Sequence, residues 1–183
     1  MGRIFSALRI LRAATRNIAY RWYLAMAFPG ISVGRRVSFG KGITIVAFDH
    51  GTLVIGNDSA FQDYASIHVE RGRMTIGREC LIGRCSVIVC QDRIALGDGV
   101  LIAEHVTIRD QDHLHGGDGR IAVQGFATAP IAIGDNVWLG AKVTVTKGVE
   151  IAPGSIIGAN AVVTRSLARR GSYGGVPARR IGP

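Results

Sequence analysis

Residues 106–117, VTIRDQDHLHGG, gather two histidines and two acids in a polar run that ends in paired glycines. An imidazole titrates near neutrality, so the neutral ring can take a proton from a hydroxyl and later return it. His113 and His115 are both candidates for that chemistry. Asp110 and Asp112 could orient an imidazole, and they serve equally well as turn residues. His105 falls at a corner of the repeat described below, and His50 and His68 have no partner readable from the chain. Cys80, Cys85 and Cys90 form no CxxC pair. That pattern supports neither a disulfide framework nor a zinc site, and it fits a reducing compartment.

The polar run interrupts a regular frame. From Ile133 the chain reads in sixes: IGDNVW, LGAKVT, VTKGVE, IAPGSI, IGANAV, VTRSLA. Each block opens with Ile, Leu or Val, and its second and fifth residues are mostly small. The same phase holds upstream. Openers fall at Val33, Phe39 and Ile45, then Ile55, Phe61 and Ile67, then Ile76, Ile82 and Ile88, then Leu96, Ile102 and Ile108. The steps between trios are ten, nine, eight and 25. Extra residues therefore enter only after every third block. Three blocks make one coil, and every insertion leaves from one corner. Stacked coils form parallel sheets on the faces of a triangular prism, about 4.8 Å apart. Six coils open at Val33, Ile55, Ile76, Leu96, Ile133 and Ile151. Such a solenoid leaves a raw sheet edge at each end, and both edges need covers.

The predicted organisation is a basic amphipathic helical segment over 1–30, a parallel β-helix over 31–168 and a C-terminal cap over 169–183. A long loop spans 109–132. Ile4, Leu8, Leu11, Ile18 and Trp22 share one helical face, which is expected either to pack on the first coil or to lie on a membrane. The first 48 residues hold eight bases and no acid. That end attracts anions, and an anionic membrane surface meeting residues 1–28 suits it best. No base-reading module is visible, so nucleic acid is not expected. No apolar run reaches the roughly 18 residues of a membrane span. The expected location is cytoplasmic, with a peripheral place on the inner membrane face.

The block PIAIGDNVWLGAKVTVTKGVEIAPGSIIGANAVVTRS, followed by GGVPARRI, resembles the hexapeptide-repeat acyltransferases. It is most similar to the maltose, galactoside and nodulation-type O-acetyltransferases and to relatives in polysaccharide biosynthesis. The resemblance implies an all-β fold, a left-handed parallel β-helix working as a homotrimer. It also implies acetyl-CoA as co-substrate and transfer to a sugar or sugar-diphosphate acceptor. IRDQDH occupies the place of the family's threonine-rich stretch ending in His, which carries the general-base role onto His113. By the same transfer, Ala141, Ala159, Thr164, Arg165, Arg179 and Trp138 match positions that meet coenzyme A. Arg84 stands near a family asparagine that touches the acceptor, and an Arg there fits an anionic acceptor. Asp110, Asp112 and His115 are the other candidates for acceptor contact. Two alternatives stand beside this reading. One is a non-catalytic solenoid that docks partners or membranes. The other is a metal-dependent enzyme of the carbonic-anhydrase type, built on the same prism. That enzyme needs three converging histidines, and none follows His115, so no metal is expected.

Overall fold

The structure is a computed structural model. It describes the backbone of residues 2–182 and the side chains of residues 14–182. Six coils stack as the repeat requires. The first face carries Ile31–Val33, Thr52–Ile55, Arg73–Ile76, Arg93–Leu96, Ile131–Ile133 and Glu150–Ile151, all parallel and in that order. The second face begins with Ser38–Phe39 and Ala60–Phe61 and continues through Leu101–Ile102 and Trp138–Leu139 to Ile156–Ile157. The third runs from Thr44–Phe48 through Ser66–Glu70, Val87–Cys90, Thr107–Arg109 and Thr144–Val145 to Val162–Val163.

The block openers are the core. Ile55, Ile76, Leu96, Ile133 and Ile151 form one buried column, and Ile45, Ile67, Ile88, Ile108, Val145 and Val163 form another. Fifth residues fill the corner interior, where Ser59, Cys80, Val100 and Val137 are all buried. The second position must be small because coils touch there. A Cβ added to Gly77 would lie 2.4 Å from the Gly97 carbonyl oxygen. Fourth residues turn the corner in the left-handed conformation; His105, exposed at φ 58°, is one of them.

The helix, Gly2–Ala27, covers the first coil, but not with the face its apolar pattern predicts. Ile4, Leu8 and Leu11 lie outside the residues whose side chains are described. Ile18 and Trp22 stay largely exposed, Trp22 at 67%, although Trp22 borders a cleft with Ile31 and Val33 of the first coil. The docking face is instead Arg16, Asn17, Tyr20, Arg21 and Leu24. The Arg16 Nε donates to the Phe39 carbonyl, while the Asn17 side-chain oxygen accepts from the Phe39 N–H. Tyr20 donates to the Ile43 carbonyl at 3.2 Å and accepts from the Ile45 N–H at 3.0 Å. Arg21 donates to the Gly34 carbonyl at 2.8 Å. The reason is that a raw sheet edge presents unpaired N–H and C=O groups, and polar side chains satisfy them where leucines cannot. Burial raises the pKa of the Tyr20 phenol above the ordinary tyrosine value.

At the other end, residues 166–182 close the prism. The Ala152 N–H donates to the Leu167 carbonyl, and the Gly158 N–H donates to Tyr173. Leu167, Tyr173 and Ala178 are buried there. No helix among the described residues is long and apolar enough to cross a membrane.

Candidate active site

The long insertion leaves the prism at Asp110, whose side chain is fully buried. Its two carboxylate oxygens accept from the backbone N–H groups of Gln91 and Asp92, each at 2.8 Å. Its own carbonyl accepts from the Ala129 N–H at 3.0 Å, which closes the base of the loop. Asp110 is therefore the staple that fixes the departure angle, and it offers no free oxygen to a ligand. Gln111–His113 then pairs antiparallel with Phe126–Thr128. At the tip, the Gln124 amide bonds both the N–H and the carbonyl of Gly117.

Strand alternation sorts this hairpin into two faces. Asp112 points one way and forms an ion pair with Lys147 of the fifth coil. Gln111, His113 and Phe126 point the other way, over the third face of the prism. There they enclose a cleft of about 280 Å³ with His68, Glu70 and Arg109. Val87 and Val89 form its apolar floor. The His113 ring lies 4.4 Å from the Phe126 ring, centroid to centroid. The residue is exposed, and its ring makes no hydrogen bond with any described residue. His68 shares a 2.8 Å hydrogen bond with the Ser66 hydroxyl. The Glu70 carboxylate accepts from the Gln91 side-chain amide at 2.9 Å.

The cleft holds no ready thiolate. Burial pushes the Cys90 thiol well above its ordinary value, with the nearby Asp110 carboxylate pushing the same way. Burial raises Cys80 as well. Among the described residues, no three His, Cys, Asp or Glu side chains converge as a metal site.

The remaining sequence candidates sit elsewhere. His115 is exposed on the loop and does not line the cleft. Arg84 is exposed at the corner between the second and third faces and does not line it either. Ala141 and Ala159 occupy that same corner two and three coils higher, and the Asn160 N–H donates to the Ala141 carbonyl. Trp138 is half exposed on the second face. Thr164 and Arg165 are exposed at the far end of the third face, and Arg179 is exposed on the cap. Within one chain, Trp138, Ala141 and Ala159 thus lie on the second face or its corner, while Thr164 and Arg165 lie at the end of the face that His113 overhangs. Sequence reading missed His68, Arg109, Gln111 and Phe126. The register places His68, Val89 and Arg109 in one outward column, a pattern available from the repeat phase. Phe126 comes in through the fold-back of the hairpin, which no local pattern announces.

Comparison with known proteins agrees with this architecture. The family described as bacterial transferase hexapeptide (six repeats) matches residues 130–165. The hexapeptide repeat of succinyl-transferase matches residues 73–108. A Mycobacterium tuberculosis protein described as an acetyltransferase is 32% identical over 97% of this chain, which spans 63% of that relative's length. WbbJ of Escherichia coli, described as a lipopolysaccharide biosynthesis O-acetyl transferase, is 28% identical over 90% of this chain and 81% of its own. Among solved structures, the N-acyltransferase AntD from Bacillus cereus, in complex with dTDP and coenzyme A, superposes with a TM-score of 0.70. It is 25% identical, with 82% of each chain covered. Repeat phase, prism and relatives agree that the chain carries hexapeptide repeats folded as a left-handed parallel β-helix, and that it is similar to acyltransferases built on that frame.

Proposed function

We propose that the protein is an acetyl-CoA-dependent O-acetyltransferase that modifies a sugar hydroxyl in surface-polysaccharide assembly. The observation that carries this reading is His113, held by the hairpin over a cleft, its ring exposed and unbonded among the described residues. The neutral imidazole takes the proton of the acceptor hydroxyl as that oxygen attacks the thioester carbonyl. The tetrahedral intermediate collapses, the C–S bond breaks, and the imidazolium returns its proton to the departing thiolate. Transfer is direct: none of the three cysteines lines the cleft, and burial pushes the Cys80 and Cys90 thiols away from their nucleophilic form. The relationship to WbbJ supports the polysaccharide setting, and the dTDP bound to AntD supports a nucleotide-linked sugar as acceptor.

The working unit is a homotrimer. Leu101, Trp138 and Ile156 stand in register on the second face, each exposed by more than two-fifths. That stripe suits burial against a second copy. Coenzyme A then lies between prisms, meeting Trp138, Ala141, Ala159, Thr164, Arg165 and Arg179 of one copy while its thioester faces the hairpin of the next. The exposed Ile18, Trp22 and Met26 on the acid-free, arginine-bearing helix suit the surface of an anionic membrane, which would make the enzyme peripheral.

Thiol release from acetyl-CoA, measured with a panel of sugars, tests the chemistry. His113→Ala should lower kcat by about 10²- to 10⁴-fold while coenzyme A still binds. Equal rates would remove the base role. A second reading, N-acylation of an amino sugar, is favoured by the AntD complex with an amino-dideoxyglucose nucleotide. A free amine carries its own lone pair, so amino-sugar turnover that survives His113→Ala would select that reading.

A further inference from the structure

The cleft under His113 contains a polar group that the fold itself leaves unused. Gln111 is only 7% exposed, and its side-chain oxygen has no hydrogen-bond partner. A buried amide without a partner is costly, and such groups in folded proteins usually await a water or a ligand. On the same wall, Arg109 forms no ion pair with any described residue, so the one cation bordering the cleft keeps its charge for a ligand. In its column Arg109 meets Val89 instead, and beyond Val89 comes His68. The one carboxylate lining the cleft, Glu70, accepts from the Gln91 side-chain amide and is not paired with Arg109. The apolar floor of Val89 and the Phe126 ring suit the C–H face of a pyranose, which aromatic surfaces commonly cover.

We infer that this cleft is the acceptor subsite, and that it selects a sugar bearing a negative group, held by Arg109 while Gln111 accepts from a ring hydroxyl. The inference rests on the acetyl-transfer reading above and moves the anion-recognising role from Arg84 to Arg109. A carboxylate and a phosphate both fit a guanidinium, so the shared chemistry is an oxyanion on the sugar.

Galactose, galacturonic acid and galactose 1-phosphate serve as matched probes. Thiol release gives kcat/KM for each, and saturation-transfer NMR on the unacylated protein reads binding of each without any turnover. Wild type should favour at least one anionic probe over galactose by about 10-fold or more, the scale of one charge-assisted hydrogen bond. Whichever anionic probe is favoured identifies carboxylate or phosphate as the source. Arg109→Gln should bring the anionic-to-neutral ratio close to one, whereas in Arg84→Gln the preference persists. Gln111→Leu should weaken binding of all three probes and, by removing an unpaired buried amide, leave the melting temperature equal to or above wild type. If no sugar is acetylated yet the NMR preference tracks Arg109, the acetyl-transfer reading falls and the subsite stands. A wild type indifferent to charge by both readouts, or an Arg109→Gln variant that keeps its preference, overturns the inference.

Discussion

Asp110→Asn is the most searching single change in this structure, because it alters one atom where the loop leaves the prism. The carboxylate is 0% exposed and accepts two N–H bonds at 2.8 Å, from Gln91 and Asp92. An amide presents one oxygen and one NH₂, so either flip leaves a donor facing a donor. A hydrogen bond to a charged group contributes about 1.5–3 kcal/mol, and an orphaned buried N–H costs about 1–3 kcal/mol. The variant keeps one bond in a weaker, neutral form and loses the other. The net cost is about 2–4 kcal/mol. For a chain of this size each kcal/mol moves the melting temperature by about 2–4 °C, giving a fall on the order of 10 °C. The same carboxylate aims the hairpin, and displacing His113 by about 1 Å is expected to lower kcat by about 10²-fold. Thermal melting and thiol release read these two effects. Solenoids can open piecemeal, so hydrogen exchange at the amides of Gln91, Asp92 and Ala129 supplies a local readout. A variant that melts within about 2 °C of wild type, with kcat and those amides unchanged, would refute the staple argument.

Tyr20→Phe removes one donor and one acceptor from the first coil's edge, and should cost about 1–2 kcal/mol in denaturant unfolding; an unchanged midpoint would show that the helix does not seal the edge. The folded pKa of Tyr20 is raised, so its contribution is fully present below the ordinary tyrosine value and lost as pH rises through the folded one. Tyrosinate absorbance should report that late ionisation. Leu101→Glu puts a charge in the middle of the second-face stripe, and light scattering should find the assembly dissociated with β-structure retained; an intact oligomer would send the interface elsewhere. Ile18→Ser with Trp22→Ser should reduce sedimentation with anionic phospholipid vesicles at low salt without uncapping the prism. Failure of the wild-type protein to sediment at low salt would end the membrane reading.

The coil count, the insertion corner and the buried columns were legible because each coil repeats one geometric demand. An opener such as Ile76 must point inward whatever its neighbours are, so a six-residue phase survives point variation. The helix caps the first coil as expected, but the residues that dock it were not legible, for a physical reason. Its apolar stripe through Ile18 and Trp22 is the stronger signal, but the first coil offers the helix backbone donors and acceptors as well as the Phe39 ring. Arg16, Asn17 and Tyr20 answer that demand, and hydrophobic periodicity gives such residues no weight. Leu24 alone joins the two criteria, being both apolar and on the docking side. At the site, His113 was reached through its motif. Its neighbours were not, because they depend on which way the hairpin falls.

That direction is a non-local choice with a chemical consequence. A triangular prism has flat outer faces, and a flat face can present a column such as His68, Val89 and Arg109 but cannot enclose a ligand. The third face becomes concave only because Asp110 seizes the Gln91 and Asp92 amides at the preceding coil's corner, turning Gln111 and His113 back over Val89. Asp112, two residues after Asp110, bonds upward to Lys147 and holds the hairpin from its other side. The two acids nearest the histidine in sequence thus work as mechanical supports facing opposite coils. The carboxylate that shares the cleft with the imidazole is instead Glu70, which accepts from the Gln91 amide; tighter orientation of the ring would come from Glu70, from the substrate or from a second copy.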